Sequence, residues 1–242
     1  MSFSTWTPAA VSSEARPWKG RAWRVVEAQH VASTMKLVDN AVEHDLLESL
    51  LEGGKPGLPE STPKLHYLLA TPFRYDPRRG GSRFRTVTDP GVFYGAGSVR
   101  TACAELGYWR WCFLRDAIDL ERIDPVAHTA FRTELMTSVV DLRKPPFSVD
   151  AASWQHPGDY TATHSFGRIA RTAGVGGILY RSVRDPEPGW CIAALTPDAF
   201  AASAPDPRMQ TWWLVVLQDG VLWRREDVSL KFSATLWTGE AA

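Results

Sequence analysis

The segment "WWLVVLQDGVLWRR", Trp212 to Arg225, restricts the possible folds more than any other stretch of the chain. Two runs of β-branched and aromatic residues flank Asp219-Gly220, a dipeptide suited to the tight turn of a hairpin. A hairpin requires antiparallel pairing, so the fold contains an antiparallel sheet. Short apolar runs at "AWRVVEAQH" (around Arg24 to Val26), "KLHYLLATPFRY", "SRFR", "VFYGA", "GGILYRSVRDP" and "WCIAALTP" add strands. "IDPVAHTAFRTELMTSVVDLRKPPFSVD" mixes strand and loop signals.

Helical signals are interspersed. In "STMKLVDNAVEHDLLESLLEGGKPG", Leu37, Ala41, Leu47, Leu50 and Leu51 share one broad face, Ser33 or Thr34 caps the start, and Gly53 and Gly54 stop the helix. Ser98 starts a second helix reaching about Asp116, after a "TDPG" turn. "DYTATHSFGRIARTAG" is a third, ended by Gly174. The expectation is one compact α+β unit. Residues 1–60 form an N-terminal extension with an amphipathic helix, loosely ordered over about the first 20, and residues 61–242 form the main domain.

Lys plus Arg and Asp plus Glu each number 27, so the chain exerts no general pull on nucleic acid or anionic lipid. The three cysteines, Cys103, Cys112 and Cys191, do not suggest a disulfide framework and fit a reducing compartment. The start lacks an apolar signal-peptide core, and no apolar run approaches a membrane span, so a cytoplasmic location is expected. There is no P-loop, no dinucleotide-binding glycine fingerprint and no nucleophile elbow. The six histidines and three cysteines show no metal-ligand spacing, and no metal is expected.

What remains is a carboxylate in an unusual place. On the helix from Ser98, the residues Ala102, Leu106, Trp109 and Phe113 cluster on one apolar face, and Glu105 falls at its edge. A shielded carboxylate needs a partner, and Arg74, Arg83 and Arg85 are the candidates. From spacing alone this is either a structural ion pair at a helix–sheet junction or a functional carboxylate.

"SRFR", then "GVFYGA", then "SVRTACAELGYWR", and farther on "GGILYRSVR", resemble the motif blocks of RES-domain proteins, the toxins of RES–Xre toxin–antitoxin modules. The resemblance covers roughly residues 65–200, with Ser82 where that family has Gly and Arg85 where it has Asn. It implies an ADP-ribosyltransferase-like split β-sheet core and consumption of NAD as substrate. The implied catalytic residues are Glu105, Arg83 and Ser182. Tyr94 is implied at the nicotinamide, with Arg24, Arg74, His66 and Tyr75 as further NAD-binding candidates and the arginines on the pyrophosphate. The expected function is a toxin that cleaves the nicotinamide–ribose bond and transfers ADP-ribose to a protein target, with a cognate antitoxin as partner. Transfer to water or phosphate is the alternative, and a non-catalytic protein-binding module is the rival reading.

Overall fold

The structure, a computed structural model, describes residues 6–28, 40, 42–43, 46–47, 50, 62, 64–74 and 80–238. The expected amphipathic helix over 33–52 therefore lies mostly outside the described residues, as does Tyr75. In chain order the main elements are α1 (Pro8–Glu14), β1 (Arg16–Glu27), α2 (Tyr67–Ala70), β2 (Phe93–Ala96), α3 (Val99–Asp116), β3 (Ile123–Asp141), α4 (Ala151–Trp154), α5 (Thr161–Thr172), β4 (Gly177–Arg181), β5 (Trp190–Ala194), β6 (Gln210–Leu217), β7 (Gly220–Arg225), β8 (Val228–Ser233) and α6 (Thr235–Thr238).

The strands form one mixed sheet in the order β1-β2-β5-β4-β3-β6-β7-β8, with an additional β1–β3 pairing. The hairpin read from Asp219-Gly220 is β6–β7, and β8 extends it. The sheet splits along β3. Antiparallel β6 pairs with its first half, from Ile123 to Ala130, and parallel β4 pairs with its last residues, Val139 to Asp141. On its other edge β3 pairs with β1 through all of Arg16–Glu27. Residues 16–27 thus belong to the sheet rather than to an extension, and 8–14 form a capped helix rather than loose chain. The middle segment that mixed signals opens with a single 19-residue strand, where pairing on both edges overrides the polar positions, and closes with turns and a 3-10 helix at Phe147–Asp150.

Two other expectations change. "KLHYLLATPFRY" is not a strand: Tyr67–Ala70 is helical and Thr71–Phe73 follows as a 3-10 turn, with Leu69 and Phe73 buried against the outer face of the sheet. "SRFR" is a tight turn, closed by paired backbone bonds between Ser82 and Arg85 of 2.8 and 3.0 Å. Short apolar runs look alike in both states, and here the side-chain burial selects the turn of helix.

Helices α3 and α5 pack on the inner face of the sheet, and two glycines bring them close. A Cβ on Gly107 of α3 would sit 2.9 Å from Val221 Cγ2. On Gly167 of α5 it would sit 2.5 Å from the Phe84 carbonyl oxygen. Glycine inside a helix costs about 1 kcal/mol relative to alanine, which close packing offsets here. Because Phe84 lies inside "SRFR", α5 directly supports the turn that carries Arg83 and Arg85.

The "TDPG" turn anchors the same region. Asp89 accepts from the Thr86 amide at 2.7 Å and from Arg168 Nε of α5 at 2.9 Å. Burial alone would raise the Asp89 carboxyl, but the Arg168 and Thr86 hydrogen bonds outweigh it and hold it at about 2, against an ordinary 3.8. A depressed carboxyl stabilises the fold while ionised, and that contribution disappears as pH falls from about 4 through about 2. Asp89→Asn is expected to cost about 1–2 kcal/mol at neutral pH, discounted because Arg168 is half-exposed. In urea melts, the gap between wild type and variant should close on acidification. A gap that persists unchanged to pH 2 would show that the charge contributes nothing.

Candidate functional site

The site lies where β1 and β2 diverge. These strands share the single registered pair Trp23↔Ala96, and Arg24 Nη1 bridges them by donating to the Tyr94 carbonyl at 2.7 Å. A cleft of about 200 Å³ opens there, lined by Arg24, Arg83, Tyr94, Glu105, Tyr160 and Tyr180 among others. A second chamber of about 440 Å³ adjoins it, sharing Arg24, Ser82 and Tyr94, and is also lined by His66, Arg74 and Arg85.

Glu105 reaches the cleft because α3 is rotated relative to its sequence-expected face. Of that face Ala102 is buried and Leu106 half-buried, whereas Trp109 and Phe113 are 49% and 58% exposed, and burial extends instead to Cys103, Ala104, Gly107, Trp111 and Leu114. Wide apolar coverage made two faces possible, and packing against β7 chose the one containing Gly107. Trp109 consequently stands at the cleft wall, beside half-buried Glu105.

Glu105 is in no ion pair with a described residue, so the expected pairing with an arginine is replaced by neutral donors. Ser182 Oγ donates to Glu105 Oε1 at 2.6 Å, and Cys191 Sγ lies 3.8 Å from the same oxygen. Burial and the Glu105 charge push the Cys191 thiol well up, and burial with Cys191 and Glu105 does the same to the Tyr180 hydroxyl. Both stay protonated at neutral pH, so the Cys191 thiol meets Glu105 as a donor. Ser182 is itself held: its Oγ accepts from the Arg184 and Asp185 amides at 3.3 and 3.2 Å. Asp185 in turn accepts from Thr101 Oγ1 of α3 at 2.8 Å, which registers this loop against the helix of Glu105.

Arg83 is 6% exposed, and both of its hydrogen bonds to described residues run from Nη1, to the Trp154 and His156 carbonyls at 3.0 Å. Tyr94 places its hydroxyl on Ser82 Oγ at 2.8 Å and on the Phe84 amide at 3.0 Å, so it pins the "SRFR" turn to β2. Arg24 and Arg85 line the second chamber, and their buried atoms Arg24 Nε and Arg85 Nε and Nη2 have no hydrogen-bond partner among the described residues. Burial brings the Arg24 guanidinium down to about 10, which leaves it charged at neutral pH. His66 caps α2, its Nδ1 accepting from the Leu68 amide at 3.3 Å, and it lines this chamber together with Arg74.

The fold thus brings together Glu105, Arg83, Ser182, Tyr94 and Arg24, and sets His66 and Arg74 in the adjoining chamber. Sequence reasoning missed Tyr160, Tyr180, Arg184 and Cys191. Arg184 sits two residues after Ser182 in "RSVRDP", but Tyr160, in the loop before α5, had no signal apart from its type.

The RES-domain sequence profile matches residues 57–216. The chain belongs to the RES-domain family. The matched span of this RES-domain chain holds every site residue above except Arg24, which β1 delivers from outside it. Among solved structures, the "M.tuberculosis MbcT-MbcA toxin-antitoxin complex" is similar at 12% identity and a TM-score of 0.46, over 93% of this chain and 90% of that one. No curated protein matches the chain. Among the described residues of this RES-domain chain, no cluster of His, Cys, Asp and Glu could hold a metal, and no helix is long and apolar enough to cross a membrane.

Proposed function

We propose that the protein is the toxin of a bacterial toxin–antitoxin pair, which cleaves the nicotinamide–ribose bond of NAD and transfers ADP-ribose to a protein side chain. The observation that carries this reading is Glu105: a carboxylate in an aromatic-lined cleft, held at 2.6 Å by Ser182 and not neutralised by a described cation. Breaking the bond between the ribose C1′ and the nicotinamide nitrogen sends the electron pair to nicotinamide, which leaves neutral. The ribose becomes oxocarbenium-like, as in glycoside cleavage. A preorganised carboxylate stabilises that charge as it develops. The acceptor then bonds to C1′ and releases its proton.

The adjoining chamber suits the remainder of the substrate. Arg24 and Arg85 line this chamber, and their guanidiniums match the oxygens of a pyrophosphate. This reading assigns Tyr94, which lines both chambers, to the nicotinamide half. The partner this reading assigns is a cognate antitoxin, and the target is a protein.

The test is incubation of purified protein with NAD labelled in the adenine. Release of nicotinamide with label on protein is the expected result. Label in free ADP-ribose or its phosphate would keep the cleavage step and replace the acceptor by water or phosphate. NAD that remains intact would remove the reading and favour a protein-binding module.

A further inference from the structure

Arg83 raises a question that the cleft alone does not answer. It is buried, yet it has no carboxylate partner among the described residues, and its Nε and Nη2 make no hydrogen bond to them. Two carbonyls on one nitrogen fix the position of that nitrogen but leave the guanidinium free to turn about it. The plane is set by Tyr160, whose ring centre lies 4.6 Å from the Arg83 guanidinium carbon.

Tyr160 is restrained in turn. Arg184 Nη2 donates to its hydroxyl at 3.3 Å and to the Pro157 carbonyl. Arg184, only 2% exposed, lies 3.4 Å over the Tyr108 ring and also has no carboxylate partner among the described residues. Tyr108 is on α3, three residues after Glu105. Two rings and two guanidiniums therefore form an alternating chain, Tyr108–Arg184–Tyr160–Arg83, from the helix of the carboxylate to the far wall of the cleft.

The choice of partners has a chemical consequence. A carboxylate beside Arg83 would hold it but would also neutralise it and compete with an anionic ligand. A ring face attracts the cation through its quadrupole and leaves the charge and the outer N–H edge available. We infer that Tyr160 is a positioning residue that aims the Arg83 guanidinium at the substrate phosphate nearer the nicotinamide ribose, on the cleft side of the chamber lined by Arg24 and Arg85, with Arg184 holding Tyr160 in place. This rests on the NAD-cleaving reading for its substrate, but the aiming itself concerns any ligand bearing a pyrophosphate.

The probe is ADP, titrated by calorimetry into the full-length protein, with NAD turnover measured in parallel. Tyr160→Leu keeps apolar bulk and removes the ring face, whereas Tyr160→Phe keeps the face and loses the hydroxyl. Tyr160→Leu is expected to weaken ADP binding about tenfold and raise KM for NAD to match, with kcat within about threefold. Tyr160→Phe should keep ADP affinity within about threefold of wild type, since the ring face carries the effect. Tyr160→Met is a second ring-less variant should Leu fail to fold. Unchanged ADP affinity in a folded ring-less variant would overturn the inference, as would equal losses in the Leu and Phe variants or a loss confined to kcat. Absence of ADP binding by the wild type would overturn it as well. Ring-dependent ADP binding with NAD left intact would instead sink the NAD-cleaving reading and leave the aiming role standing.

Discussion

Replacing Glu105 by Gln is expected to lower kcat for NAD cleavage by about a hundredfold or more, the scale of removing one preorganised electrostatic group. Gln keeps the size and helix propensity of Glu, and its amide oxygen can still accept from Ser182 Oγ, 2.6 Å from Oε1 in the native protein. The charge acts mainly when the ribose turns cationic, so KM should change little. Because Glu105 is in no ion pair with a described residue, the substitution strands no buried arginine, and melting should stay close to wild type. Turnover and thermal melting on one preparation decide the matter. A lowered melting temperature with near-normal turnover per folded molecule would make Glu105 scaffolding.

Ser182→Ala is expected to produce two losses at once. The Ser182 hydroxyl donates to Glu105 and accepts from the Arg184 and Asp185 amides, and all three partners lose it together. Leaving buried amides unsatisfied costs about 1–3 kcal/mol of stability. A hydrogen bond to a charged group is worth about 1.5–3 kcal/mol, so kcat should fall at least about tenfold as the carboxylate loses its closest donor. The stability loss shows in a denaturant melt and the catalytic loss in kcat at saturating NAD. A rise in KM with kcat untouched would mean that Ser182 binds substrate rather than fixing Glu105.

The contrast between these two residues reflects how each was legible. Glu105 stood out because a carboxylate at the border of an apolar helical face is costly unless something meets it. Ser182 became visible only through the resemblance of "GGILYRSVR" to a family motif, since a serine before a turn is ordinary by itself. That the two meet depends on the pairing of β4 with β5 and on the Asp185–Thr101 contact, and neither contact has a local signature.

The sequence by itself determined the elements that local chemistry specifies. These are the β6–β7 hairpin at Asp219-Gly220, the capped helix from Ser98 to Asp116, the α5 stop near Gly174, and the α+β class that follows from them. Caps and turns are short-range, so neighbouring residues are enough to specify them. The family also followed from ordered local motifs. Only the tertiary structure decided that the strand read around Arg24 to Val26 runs over all of 16–27 and pairs with β3, that "SRFR" is a turn, and that α3 turns Trp109 outward and Glu105 into the cleft. It also decided that Arg83 is met by Tyr160 and backbone carbonyls instead of Glu105. Each of these depends on which distant surface a residue meets: β3 for β1, Phe84 for Gly167, β7 for Gly107. Long-range packing of this kind has no period or spacing in the chain, so it is legible only once the sheet is assembled.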